Sequence, residues 1–182
     1  DESRAAPVNY KVILEPTQQN WLFGLDYPFS QQPDINTTSE FTLSKDQPVT
    51  QQLRYDVLQF AQMRIDPVLT EASRRENLAL PNEGNPQSRA LAKQLFEQSG
   101  SDPVRYIAAI EQWINRTEFR YTLSPPRLNT NRIDEFLFET KAGFCEHYSS
   151  SFTFMLRAVG IPARVVAGYQ GGEPSRNGNV WE

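Results

Sequence analysis

The hydrophobic period of this 182-residue chain changes partway along it, and that change limits the folds open to it. Early on the period is two. Tyr10, Val12 and Leu14 alternate with Lys11 and Ile13, and Leu53, Tyr55 and Val57 alternate with Arg54 and Asp56. Short apolar pieces at Trp21-Leu22-Phe23 and Phe41-Thr42-Leu43 lie between them, set off by turn-rich stretches such as "SQQPDINTTS". The pattern predicts a small β-rich region over residues 1–74. "RRENLALPNEGNPQS" reads as a connection, with the linker over residues 75–84.

From residue 85 the period becomes helical. Asn85 then Pro86 is an N-cap followed by a first-turn proline; Leu91, Leu95 and Phe96 form a stripe, and Gly100 closes it. Asp102-Pro103 opens a second helix in the same way, with Tyr106, Ile107, Ile110, Trp113 and Ile114 at helical spacing. "FRYTL" reads as a short strand, and Ile133, Phe136 and Leu137 fit one brief helix. Strands followed by helices make this an α+β chain, with its second region over residues 85–182.

Charge and composition exclude some functions. Eighteen basic residues against 22 acidic ones give a net charge of −4, without the clustered Lys and Arg that nucleic acid requires. A single cysteine excludes an internal disulfide. No run approaches the roughly 18 apolar residues of a membrane span. The opening "DESRAAP" has no leader pattern. Residues 178–182 read as the start of a strand, which gives the expectation that the chain is a piece of a longer protein.

The one cysteine, Cys145, and the one histidine, His147, stand two residues apart. Gly143-Phe144 precedes a strong helix, expected over residues 146–159 and stopped by Gly160 and Pro162; residues 163–170 read as a strand. Phe154 lies opposite the stripe of Tyr148, Phe152, Met155, Leu156 and Val159, so the helix is expected to be buried on more than one face. Cys145 falls at the helix N-terminus, where free backbone N–H groups favour a thiolate and an oxyanion beside it. A lone cysteine is also a common small core residue, and position alone leaves both readings open.

His147 is a poor partner for it. Two positions along a helix turn roughly 200°, so side chains at i and i+2 do not face each other. A general base must come within about 3 Å of its proton. His147 is therefore expected to be a structural, hydrogen-bonded histidine. One cysteine and one histidine also fall short of a tetrahedral metal set, so no metal or cofactor is expected. If Cys145 is a nucleophile, its base comes from elsewhere, with the expectation that it lies past Glu182.

"AGFCEHYSSSFTFMLRAVGIPARVVAGYQ" resembles the nucleophile segment of the transglutaminase-like superfamily. In that pattern a Gly-x-Cys opens a helix and "R-x-x-G-I-P-A-R-x-V-x-G-Y" follows; Gly143, Cys145, Arg157, Gly160, Ile161, Pro162, Ala163, Arg164, Val166, Gly168 and Tyr169 match it. "RIDEFLFETKAGFCEH" and "GYQGGE" are similar to the TgpA-type branch, a periplasmic domain of bacterial inner-membrane proteins. The resemblance covers residues 85–182, and the strand-rich part matches the region that precedes this core in such proteins.

The resemblance implies a papain-like core, incomplete here, with the cysteine-bearing helix central and set against an antiparallel sheet. It implies a Cys–His–Asp triad with Cys145 as nucleophile, acting on a protein or peptide glutamine or another amide through a thioester that an amine or water resolves. The family's histidine and aspartate come on strands after the "GY" strand. This sequence is thus expected to lack both and to be inactive alone, in a parent protein anchored to the membrane. A peptidase or amidase of the same fold, or a non-catalytic module binding an envelope partner, are the alternatives. Gly171-Gly172 reads as a flexible turn.

Overall fold

The computed structural model describes residues 6–38, 41–60, 69–168 and 171–175. Two units make up the chain, one of Asp1–Pro67 with Gly168–Glu182, the other of Val68–Ala167.

In the first unit, alternation sets the sheet. β1 (Val8–Leu14) runs antiparallel to the strand Leu53–Phe60, with Tyr10 opposite Val57, Val12 opposite Tyr55 and Leu14 opposite Leu53. Tyr55 and Val57 are fully buried, whereas Arg54 and Asp56 face out, as a period of two requires. Lys11 stands directly across from Asp56 and pairs with it at 3.4 Å on the exposed face. In chain order the further strands are β2 (Trp21–Leu22), β3 (Tyr27–Phe29), β4 (Ile35–Thr37) and β5 (Leu43–Lys45), which makes the strand Leu53–Phe60 β6. β3 pairs with the free side of β6, and β2, β5 and β4 form a second antiparallel sheet in that order.

Leu14, Leu22, Ile35, Leu43, Val49, Tyr55 and Val57 form one core. The Tyr55 hydroxyl donates to the Phe23 carbonyl at 2.8 Å and accepts from the Phe23 N–H at 3.0 Å, so its polar end is satisfied inside. Burial pushes the Tyr55 phenol up to about 12. Two details differ from the sequence reading. "SQQPDINTTS" carries β4, whose Ile35 is buried, because three residues are too few to show alternation. The run at Phe41 begins its strand only at Leu43, since Phe41 sits at φ +59° in a turn.

The second unit is helical. α1 (Glu71–Leu78) starts on Thr70, whose Oγ1 accepts the Ser73 N–H at 3.1 Å. The sequence reading divided these residues between the end of the β-rich region and the linker. α2 (Pro86–Gln98) and α3 (Pro103–Arg116) begin where the Asn-Pro and Asp-Pro pairs predict, and Asp102 accepts the Arg105 N–H at 2.8 Å. β7 (Arg120–Tyr121) follows, then α4 (Arg132–Asp134), which continues as a π-helical turn over Glu135–Thr140, then β8 (Ala142–Gly143) and α5 (Cys145–Ala158).

α5 packs against α1, α2, α4 and β8. Its Ser151, Phe154, Met155 and Leu156 are all buried, so it is enclosed on more than one face, as expected. Met155 and Leu156 join Ala92, Tyr106, Ile110, Phe136 and Leu137 in the second core. Near the end of α5 the Val159 N–H turns to the Leu156 carbonyl, and the buried Tyr106 hydroxyl donates to Met155 O at 2.9 Å. The architecture is α+β, with antiparallel sheets in the first unit and the cysteine-bearing helix in the second. Among the described residues no helix is long and apolar enough to cross a membrane.

Candidate active site

The approach to Cys145 is built by two very short strands. β7 and β8 pair in parallel, with Arg120 opposite Ala142 and Tyr121 opposite Gly143. The Arg120 N–H donates to Lys141 O at 2.7 Å and the Thr122 N–H to Gly143 O at 2.8 Å. Gly143 is a glycine because of what lies over it. A Cβ there would come 2.6 Å from His147 Cγ and 3.0 Å from Phe136 Cε2.

After Gly143 the chain turns into α5 through Phe144, at φ −121° and ψ −174°. Cys145 is the first helical residue and is exposed. The sequence reading began this helix one residue later. The His147 N–H donates to Phe144 O at 2.9 Å. Among the described residues the N–H groups of Cys145 and Glu146 have no acceptor. These are the orphan donors of a helix start, positioned beside the thiol.

Phenylalanine is a poor N-cap because its side chain accepts nothing. His147 compensates in part: its Nδ1 accepts the Phe144 N–H at 3.4 Å. An accepting Nδ1 places the neutral imidazole's proton on Nε2. The ring packs against Phe144 and Phe136, with centroids 4.7 and 5.4 Å away. His147 thus folds back over the residues before the helix, and among the described residues no hydrogen bond joins it to Cys145.

The far end of α5 is held as firmly. Gly160, at φ +84°, closes the helix; its N–H donates to Arg157 O, and the Ile161 N–H donates to Leu156 O, both at 3.0 Å. Arg157 then reaches forward. Its Nε donates to Ala163 O at 2.6 Å and its Nη1 to Ala79 O at 2.9 Å, while the Ala163 N–H donates to Asn77 O at 3.0 Å. The Arg and Ala of "R-x-x-G-I-P-A" are therefore one clamp, a role the sequence reading did not see. Residues 163–168, expected as a strand, join no ladder among the described residues, because a strand needs a neighbour's N–H and C=O groups. Tyr169 and Gln170, and the strand start expected at residues 178–182, lie outside the described residues.

Aromatic rings surround the first turn of α5. Tyr148 meets Phe136 at 5.1 Å, Phe119 at 5.7 Å and Tyr121 at 6.4 Å. Burial, then the neighbouring Tyr121 phenol, pushes the Tyr148 phenol up. Further along the helix, a groove of about 470 Å³ runs between Tyr148, Phe152 and Leu156 on one side and Val165 and Val166 on the other. Cys145 does not line it.

The chain's relatives agree with this architecture. Residues 89–182 match the profile of the Transglutaminase-like superfamily, and residues 2–64 match that of the TgpA N-terminal domain. A protein-glutamine gamma-glutamyltransferase of Pseudomonas aeruginosa is 44% identical over 178 residues, covering 98% of this chain and 26% of that protein. YebA of Bacillus subtilis is 31% identical over 163 residues, covering 85% of this chain and 21% of that protein. The crystal structure of the periplasmic domain of TgpA from Pseudomonas aeruginosa superposes with a TM-score of 0.89 at 43% identity, covering 99% of this chain and 62% of that one. The same domain bound to ethylmercury gives 0.88 at 44% identity, covering 97% and 63%. The chain therefore spans only about a quarter of the length of the transferase it resembles. By sequence and by fold, this chain belongs to the transglutaminase-like superfamily.

Proposed function

We propose that Cys145 is the nucleophile of a transglutaminase-like acyl transfer carried out in the periplasm by the protein to which this chain belongs. The observation that carries the reading is an exposed thiol on the first residue of α5, beside unpartnered backbone N–H groups. The thiolate adds to the carboxamide carbon of a glutamine side chain, and the Cys145 N–H donates to the oxygen that gains charge. The C–N bond then breaks, ammonia leaves with a proton from a general acid, and a thioester remains. An amine attacks the thioester, its proton passes to the base, the new C–N bond forms and the thiol is restored. Water in place of the amine makes the same site an amidase.

The family assigns the acid–base role to a histidine oriented by an aspartate. His147 does not suit that role, because its Nδ1 is taken by Phe144 and its ring is packed over Gly143. We assign both partners to residues other than these 182, so the chain alone is inactive. The name of the 44% identical relative supports transfer over hydrolysis. The likeness to the TgpA periplasmic domain supports the compartment.

The test uses the full-length protein in detergent, a glutamine-bearing polypeptide and a fluorescent primary amine. Amine incorporation that Cys145→Ala abolishes is expected, and undiminished incorporation in that variant would falsify the assignment. Cleavage or ammonia release without incorporation selects the amidase instead. A protein with neither activity is a binding module.

A further inference from the structure

One large ring, on the strand paired with the residues that lead into α5, stands in solvent yet is stacked on a neighbour. Tyr121 is 63% exposed. Its backbone is fixed by β7, where it stands opposite Gly143 with a hydrogen bond to β8 or its flank on either side, from Arg120 and Thr122. Its ring lies over Tyr148 with centroids 6.4 Å apart and planes 18° from parallel, an offset stack. Tyr148 is itself wedged between Phe119 and Phe136.

Tyr148 follows Cys145 by three residues, so both project from one side of α5. Helical side chains lean toward the N-terminus, which carries Tyr148 toward the cysteine. The Tyr121–Tyr148 stack therefore lies on the side of α5 from which Cys145 projects. Exposing so much aromatic surface forgoes burial. A ring already held in place gives something in return, since it meets a ligand without losing further rotamer freedom.

We propose that Tyr121 is a substrate-contact residue, its ring forming the wall along which the acyl donor's side chain lies as its carboxamide meets Cys145. The proposal rests on the nucleophile assignment above. A glutamine side chain presents two methylenes and a planar amide, and both fit a flat aromatic face. The contact needs the ring and not the hydroxyl, so phenylalanine should replace tyrosine and alanine should not.

Steady-state kinetics of the full-length protein with a glutamine peptide test it. Tyr121→Ala should raise KM roughly 3- to 10-fold, in line with the strength of an aromatic contact, and leave kcat nearly unchanged, while Tyr121→Phe keeps the parental KM. An unchanged KM in Tyr121→Ala, or equal impairment in Tyr121→Phe, overturns the proposal. Cys145→Ala keeps the two readings apart. If that variant stays active, the nucleophile assignment fails and this proposal with it; if it is inactive while Tyr121→Ala is normal, only the wall is wrong.

A second measurement needs no turnover. In this chain, the rate of Cys145 alkylation by N-benzyl iodoacetamide relative to iodoacetamide should fall in Tyr121→Ala and hold in Tyr121→Phe. A ratio unmoved by Tyr121→Ala counts against the wall.

Discussion

Asn85 and Asp134 hold the starts of each other's helices. Asn85 precedes α2, yet its Oδ1 accepts from the N–H groups of Ile133 and Asp134 at 3.0 and 3.2 Å, at the start of α4. Asp134 belongs to α4, yet its carboxylate accepts from the N–H groups of Gln87 and Ser88 at 2.9 and 2.8 Å, in the first turn of α2. The Ser88 hydroxyl also donates to it. Asp134 is only 3% exposed, so these donors have no water to fall back on. Asp134→Ala should destabilise the chain by roughly 3 kcal/mol, and Asn85→Ala by about 1–2 kcal/mol. The double variant should cost less than the sum, because the two residues share one network. Urea unfolding measures all three, and strict additivity would show the exchange to be incidental.

His147 touches the start of α5, where its Nδ1 accepts the Phe144 N–H. His147→Ala should lower stability by about 1 kcal/mol, the worth of a cap. It should leave the iodoacetamide alkylation rate of Cys145 within about two-fold, whereas losing a true general base changes rates a hundred-fold or more. A large fall in that rate would restore His147 as the partner. Gly143→Ala should be worse for folding than His147→Ala, since its new methyl meets the imidazole at 2.6 Å. Combining the two substitutions should recover part of the loss.

Ser151 lies in the middle of α5, 1% exposed, and its hydroxyl has no partner among the described residues. A buried hydroxyl left unpaired costs roughly 1–3 kcal/mol. Alanine removes that cost and is the better helix former. Ser151→Ala should therefore raise the thermal midpoint. A lowered midpoint would mean the hydroxyl is satisfied after all.

Alkaline pH should loosen the first unit through Tyr55. Its phenol is raised from 10.0 to about 12 in the fold, by burial first. Its raised value means the folded chain keeps a proton that the unfolded chain releases. The resulting stabilisation is full below about pH 10 and is lost as pH climbs toward 12. Burial pushes Tyr106 up in the same direction. Absorbance at 295 nm should show late-titrating tyrosines, Tyr55 and Tyr106 among them, together with unfolding. In Tyr55→Phe one late titration should vanish. If every tyrosine ionises together near the ordinary value before unfolding, Tyr55 is not sealed.

What the sequence made legible was mostly local. α2, α3 and α5 carry a proline in the first turn or a glycine at the stop, and each helix runs for three turns or more. The turning angle between i and i+2 was enough to separate His147 from Cys145. β3 and β4 were hidden because three residues hold no full pattern. The exchange of caps between Asn85 and Asp134 was hidden because its partners stand 46 to 49 residues apart. The grip of Arg157 on two distant carbonyls left no periodic trace either.

That grip bears on the path of the chain after α5. Arg157 ties the outgoing chain at Ala163 to the far end of α1 at Ala79, and the Asn77 carbonyl holds Ala163 from its other side. Among the described residues, the heading of residues 163–168 is therefore set by one guanidinium and a backbone amide, not by sheet pairing.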